Sequence, residues 1–218
     1  MKVIVGDELG LLKAIDANKS IMESKYGEIK KNNAVLGLDN LFKDNKSTLS
    51  VLHEENFYLL DWNDKSIKYQ QTINQKYTSQ VVKKGTDTSL VCLSNQKNEL
   101  ELFQFDQNYE VLNYVNFNTE NWNLFSIKNS YVENEIFLLN KKYPFQIYDI
   151  NKNCITWKSK NVPNDELDLM VPIWDTDICQ NKNNPNLIYT ATAWGNVNLF
   201  IKKYLSIYLF RLEHMTER

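Results

Sequence analysis

A recurrence of about 43 residues constrains this chain more than any other feature of its sequence. An aromatic residue followed by Asp closes an apolar run at Phe105-Asp106 and again at Tyr148-Asp149, 43 residues on; Trp62-Asn63 lies 43 residues before Phe105-Asp106. Each closing dipeptide ends an apolar run that follows another across a short polar turn: 49–52 then 57–60, 89–93 then 100–105, 136–139 then 145–148. A further β-rich run follows each, at 66–69, 109–112 and 154–157. The runs are short and broken by Asn, Asp, Lys and Gly, and helical periodicity is scarce, so the elements are strands.

Four strands per unit at this period is what a propeller blade requires, because each small twisted sheet hides its faces against its neighbours. A sandwich gives evenly spaced strands without the longer beat. The aromatic ring is expected to pack between adjacent sheets, and the carboxylate to sit at the turn and accept hydrogen bonds. This ending is a degenerate form of the dipeptide that names WD repeats, whereas the literal Trp174-Asp175 falls in a different strand of its unit and is not that signature. The units span 1–33, 34–76, 77–118 and 119–160, with a fifth from about 166 that contains the runs 187–191 and 197–200. A seven-bladed ring takes roughly 300 residues, so the expected fold is all-β, a partial WD-repeat β-propeller of four to five blades over residues 1–201. Residues 202–218 are apolar without an obvious partner strand. They read either as a terminal strand or short helix, or as non-native sequence from a truncated gene, and the second is favoured.

Composition narrows the function classes. With Lys+Arg 25 against Asp+Glu 27 and a net charge of -2, the chain does not hold nucleic acid by bulk electrostatics. The pairs Lys83-Lys84, Lys141-Lys142 and Lys202-Lys203 sit at turns or strand ends, where RNA backbone contact and simple solubilisation are both open, solubilisation being the commoner use. Three widely spaced cysteines without a C-x-x-C pair suggest neither a disulfide framework nor a zinc cluster and fit a reducing compartment. The N-terminus turns acidic before any apolar signal core forms, and no run reaches the ~18 apolar residues of a membrane span. A soluble intracellular protein is expected.

Catalysis finds little support. His53 and His214 are the only histidines, and no H-E-x-x-H, G-x-S-x-G or phosphate-cradling loop occurs. His53 reads as a surface or turn residue. Asp165, Glu166 and Asp168 lack the alternating oxygen ligands and glycine of a calcium loop and read as a solvated acidic turn. No enzyme activity, cofactor, metal or small-molecule substrate is expected.

The most informative stretch is 160–178, which lengthens the interval between units and carries Pro163 and Pro172, residues disfavoured in a central strand. It reads as an inter-blade loop that packs Trp174 into the core, or as a specific contact surface. The contact surface would comprise Lys160, Asn161, Val162, Asn164, Asp165, Leu167, Asp168, Pro172, Trp174 and Asp175.

Here the sequence resembles the nucleolar WD-repeat assembly factors of the large ribosomal subunit, in which a Lys-Asn-Val-x-Asn-x-x-Leu-Asp-Leu-x-Val-Pro-Ile-Trp stretch follows the fourth unit. The matching residues are Lys160, Asn161, Val162, Asn164, Leu167, Asp168, Leu169, Val171, Pro172, Ile173 and Trp174. The opening from Gly6 through Glu8 and Gly10 to Lys13 is similar to the family's Gly-x-Glu-x-Gly-x-x-Lys start. The resemblance spans residues 1 to 200, mostly in spacing. It departs at Met170, where a basic residue is expected, and the later blades and basic C-terminal tail of such proteins are missing. The resemblance implies a non-enzymatic nuclear and nucleolar scaffold that binds precursor (pre-60S) particles together with other assembly factors and rRNA. Such a scaffold supports rRNA processing, is released by an AAA-type ATPase, and has no membrane partner. It also implies that Ile173 and Trp174 serve packing more than contact. The alternative is a generic WD-repeat adaptor, such as a ubiquitin-ligase substrate receptor; a propeller enzyme would need clustered acids or metal ligands at the central channel.

Overall fold

The computed structural model describes residues 2–31, 33–44, 47–54, 56–72, 76–97, 99–118, 124–164, 166–202 and 207–212. Among them are nineteen β-strands and no helix, and hence no helix long and apolar enough to cross a membrane. The strands form antiparallel sheets in which each strand pairs with its neighbours in sequence. The chain divides into two compact units, Met1–Glu120 and Asn121–Arg218.

The first unit holds three sheets. One comprises β1 (Lys2–Gly6), β2 (Leu12–Asp16) and β3 (Ile21–Tyr26). The next comprises β4 (Val35–Asn40), β5 (Thr48–His53), β6 (Asn56–Asp61) and β7 (Ile67–Thr72). The third comprises β8 (Tyr77–Lys83), β9 (Ser89–Asn95), β10 (Glu99–Phe105) and β11 (Val111–Asn118). The second unit holds β12 (Leu124–Asn129), β13 (Glu135–Asn140), β14 (Gln146–Asp149) and β15 (Cys154–Lys158), then β16 (Asp175–Gln180), β17 (Leu187–Thr192), β18 (Val197–Ile201) and β19 (Ile207–Leu212).

Middle strands such as β5 and β6 are buried on both faces, which is why they read as near-continuous apolar runs. Between the second and third sheets lies a core containing Phe57 and Leu59 from one side and Val91, Phe103 and Phe105 from the other. Phe105 meets Phe57 at 6.2 Å and stands edge-on to Tyr69 at 5.0 Å, so the strand-closing ring packs between sheets as expected. In the second unit Phe145 of the β13–β14 turn packs edge-on against Phe200 of β18 at 5.1 Å.

The turn carboxylates also behave as expected, with one correction. Asp16, Asp61 and Asp106 each accept the backbone N–H two residues on at 2.9 Å, and Asp149 does so at 3.0 Å. These are Asx turns, in which the side chain supplies the acceptor that a tight turn lacks. In the second sheet the equivalent residue is Asp61 rather than Asn63, so the aspartates stand 45, 45 and 43 residues apart. Trp62 packs against the core between the first two sheets.

Two more expectations need correcting. His53 is not a surface residue: it ends β5 at 3% exposure, with Nδ1 2.8 Å from the Asn33 carbonyl and Nε2 3.0 Å from the Tyr58 hydroxyl. A carbonyl only accepts, so Nδ1 carries the proton and Tyr58 donates to Nε2. Burial lowers the His53 pKa, opposed by the bond to Asn33. The run near the C-terminus does have a partner strand, because β19 pairs antiparallel with β18 through Leu199↔Phe210 and Ile201↔Ile207. Residues 203–206 and 213–218 of the tail lie outside the described residues.

Polar staples reinforce these packed sheets. Gln80 of β8 donates to the Ser50 carbonyl and accepts from the Ser50 hydroxyl, both at 3.1 Å. Gly37 of β4 makes room, since a Cβ there would stand 2.3 Å from Gln80 Cγ. In the second unit Gln180 of β16 accepts from the Ser130 hydroxyl at 2.9 Å and the Tyr131 N–H at 2.8 Å.

Two outcomes follow. Gly37→Ala destabilises the chain by about 1–3 kcal/mol in urea unfolding, and Gln80→Ala added to it costs at least ~1 kcal/mol less than the sum of the single changes. His53 must charge on unfolding in mild acid, so its contribution is complete above about pH 6.5 and is lost as pH falls below that. His53→Asn removes this slope from the urea midpoint measured against pH, whatever it does to absolute stability.

Candidate functional site

In an antiparallel meander successive connections leave at opposite ends of the sheet. The β13–β14 turn, the long β15–β16 connector and the β17–β18 turn of the second unit therefore emerge at one end. There they enclose a cleft of about 400 Å³, its open mouth included, walled by Pro144, Pro172, Trp174 and Trp194 among others.

The connector is held in shape by its own polar side chains. Asn161 donates to the Val171 carbonyl at 2.9 Å and accepts the Val162 N–H at 2.9 Å, tying its two legs together. At the tip Asn164 donates to the carbonyl and to Oδ1 of Asp168 at 3.1 and 2.9 Å. Asp168 has φ 59°, a left-handed conformation that Asp tolerates better than most residues. The Trp174 carbonyl accepts the Ala193 N–H at 2.9 Å, which docks the returning leg onto the β17–β18 turn.

Of the residues singled out in sequence, Lys160, Asn161, Val162, Pro172, Trp174 and Asp175 come together at the cleft. Asn164, Leu167 and Asp168 lie on the exposed tip, and Asp165 falls outside the described residues. Leu167 is 79% exposed and Met170 73%, so this loop holds apolar side chains in solvent instead of folding them under. Trp174 is half-buried. Its ring stands perpendicular to that of Trp194, 57% exposed, at 6.2 Å, and the Lys141 ammonium lies 5.5 Å from its centroid.

Sequence reasoning missed Trp194, Asn196 and Asn198, which also line the cleft. Trp194-Gly195-Asn196 sits between two apolar runs and passes for an ordinary hairpin turn; Gly195, at φ +78°, supplies the left-handed residue. Asp175 opens β16 at 6% exposure, and burial pushes its pKa up to about 6, with the Thr190 hydroxyl pulling the other way.

The basic pairs are partly neutralised within the chain: Lys84 meets Asp39 at 2.5 Å, and Lys202 meets both carboxylate oxygens of Glu135 at 2.5 and 2.7 Å. Among the described residues no group of three or more His, Cys, Asp or Glu is placed to hold a metal ion. His53 is committed to Asn33 and Tyr58, and His214 lies outside the described residues.

No protein-family profile and no curated protein matches the sequence. The structure is similar to that of the β-propeller domain of Cps50 (Swd1) from Myceliophteria thermophila, with a TM-score of 0.70 at 10% identity, over 97% of this chain and 68% of that one. At that identity the likeness shows the fold alone, an all-β WD-repeat β-propeller architecture.

Desolvation of Asp175 opposes folding at neutral pH by on the order of 3 kcal/mol. Its raised pKa means that the folded chain holds the extra proton, so stability from this group falls as pH rises from about 4 to about 6, the reverse of His53. Asp175→Asn flattens that segment of the pH profile and raises stability at pH 7 by about 1–3 kcal/mol, read from urea midpoints.

Proposed function

We propose that this protein is a non-enzymatic WD-repeat scaffold in ribosome biogenesis, which binds precursor particles of the large subunit in the nucleolus and assists rRNA processing. The observation that carries the proposal is the 160–174 connector. Its sequence resembles that of the large-subunit assembly factors, and its Leu167, Leu169 and Met170 are offered to solvent on a loop braced by Asn161 and Asn164.

A braced loop loses little conformational entropy on binding, and exposed apolar groups supply the area that a protein contact buries. The assembly factors and rRNA of the particle are the proposed partners, and an AAA-type ATPase would remove the scaffold when its stage ends. The rigid sheets contribute position: they hold loops from neighbouring blades at fixed separations, so a partner reads several at once. Catalysis has no part in this role.

The protein is expected to co-sediment with precursor large-subunit particles, and its depletion to accumulate unprocessed rRNA. Leu167→Asp with Met170→Asp, two exposed positions whose change leaves the fold intact, is expected to shift it to the free fractions. Sedimentation of the unaltered protein only as free protein overturns the proposal, and co-purification of ubiquitin-ligase subunits without assembly factors replaces it with the adaptor role.

A further inference from the structure

We propose that the free edge of β1 receives a β-strand from another polypeptide, an extended protein segment that takes the place of the first strand missing from the first sheet. The inference goes beyond the scaffold reading and does not rest on it, because β1 belongs to the first unit and the 160–174 connector to the second.

The pairing pattern identifies β1 as a second strand. In each four-stranded sheet the first strand ends the ladder, and a register shift interrupts its pairing with the second, in β4, β8, β12 and β16 alike. Their last strands, and β3, are set off by a shift in the same way. Second and third strands pair regularly. β1 meets β2 over five residues, from Lys2↔Asp16 to Gly6↔Leu12, without a shift. It also packs on β4 as β5 packs on β8 and β13 on β16. Asp16 at the end of β2 makes the same Asx turn as Asp61 at the end of β6, a third strand. The first sheet therefore holds a second, a third and a fourth strand, and its vacant place is the first.

That edge has the chemistry of an acceptor. The β1–β2 hairpin closes through the Asp7 N–H and the Leu11 carbonyl at 3.0 Å, so the alternation of an antiparallel ladder turns Val3 and Val5 toward β2 and the N–H and C=O groups of Lys2, Ile4 and Gly6 away from it. These outward groups have no backbone partner among the described residues. β5 is buried along its whole length, whereas β1, apolar at Val3-Ile4-Val5, is exposed at four of its five residues. Neither a proline nor a bulge blunts it, devices by which edge strands avoid pairing. Beside the vacancy stands β4, whose Leu38 shares a core with Ile4 and is only half-buried. First strands lie side by side, β4 on β8, so an added strand continues an interface already present. The described strands from β4 to β19 all belong to complete sheets, and none is spare. A second copy suits the place less well: its β1 arrives with β2 attached, where in every complete sheet nothing pairs beyond the first strand. A lone segment of six or seven residues, the length of β4, β8, β12 and β16, meets each requirement when it runs antiparallel to β1 and turns β-branched side chains toward Ile4 and Leu38.

The test titrates the full, unaltered chain with the peptide acetyl-Lys-Thr-Val-Thr-Val-Thr-Lys-amide, followed by calorimetry and by amide hydrogen exchange. In an antiparallel ladder the residues whose side chains face Ile4 and Leu38 are those whose N–H groups bond β1. Methylating the two valine nitrogens of the peptide is therefore expected to weaken binding at least about tenfold, while methylating the threonine nitrogens, which face away, leaves it within about threefold. Exchange of the Ile4 and Gly6 amides is expected to slow at least about tenfold in the complex. Equal weakening by the two methylations, binding without slowed exchange at Ile4 and Gly6, or no saturable binding up to about 1 mM overturns the proposal. Protection of these amides in the free monomeric chain also overturns it, in favour of a segment of the chain itself; protection that appears only with concentration-dependent dimerisation overturns it in favour of a second copy. Co-sedimentation with precursor particles is read separately, so failure of the strand site and failure of the scaffold role are told apart.

Discussion

Burial of one sheet's face against the next carries this structure. A four-stranded sheet of twenty-odd short-strand residues has too little apolar area to stand alone in water, and its middle strands are greasy on both sides. Phe57, Phe103 and Phe105 sit between two such sheets in the first unit, and Phe145 and Phe200 between two in the second. Everything else is arranged around those contacts: aspartates close the turns so that the strands reach the right length, glutamines tie neighbouring sheets where apolar packing stops, and long connectors are left over to face outward.

Much of the fold was legible because the middle strands carry their burial in their composition. β6, β9 and β13 each contain an uninterrupted apolar run of four residues, and β5 and β10 are apolar runs broken only by single polar residues, which any strand pattern detects. The first strand of each four-stranded sheet was harder to see. β8 reads Tyr-Thr-Ser-Gln-Val-Val-Lys and β16 reads Asp-Thr-Asp-Ile-Cys-Gln, because these strands spend polar side chains on staples such as Gln80 and Gln180. The misplaced turn at Asn63 has a similar cause. The aromatic of Trp62 drew the eye, while the hydrogen bond belongs to the carboxylate one residue earlier. His53 was misread because the Asn33 carbonyl reaches it from the connector before β4 and the Tyr58 hydroxyl from the neighbouring strand β6, and nothing in the residues beside His53 announces either partner.

Half of the candidate site could be found in the sequence and half could not. The two prolines and the added length made the β15–β16 connector conspicuous, and its Trp174 and Asp175 do reach the cleft. The opposite wall comes from a plain hairpin turn about twenty residues later, whose Trp194, Asn196 and Asn198 acquire meaning only through their neighbours. A residue's exposure is a property of the assembled surface, so an indole at a turn and an indole in a core are spelled the same way. The buried state of Asp175 was equally invisible, since an acid beside Trp at the start of a strand gives no hint of how much water remains around it.

Within each unit the principal contacts between sheets run from one sheet to the next in sequence, as β1 to β4 and β4 to β8 in the first and β13 to β16 in the second. A chain wired in this way can gain or lose a whole module by tandem duplication or deletion while the remaining junctions keep their chemistry. Change of that kind leaves exposed connector tips such as residues 167–170, which bear on no such junction, as the segments where drift is cheapest and new specificities arise first.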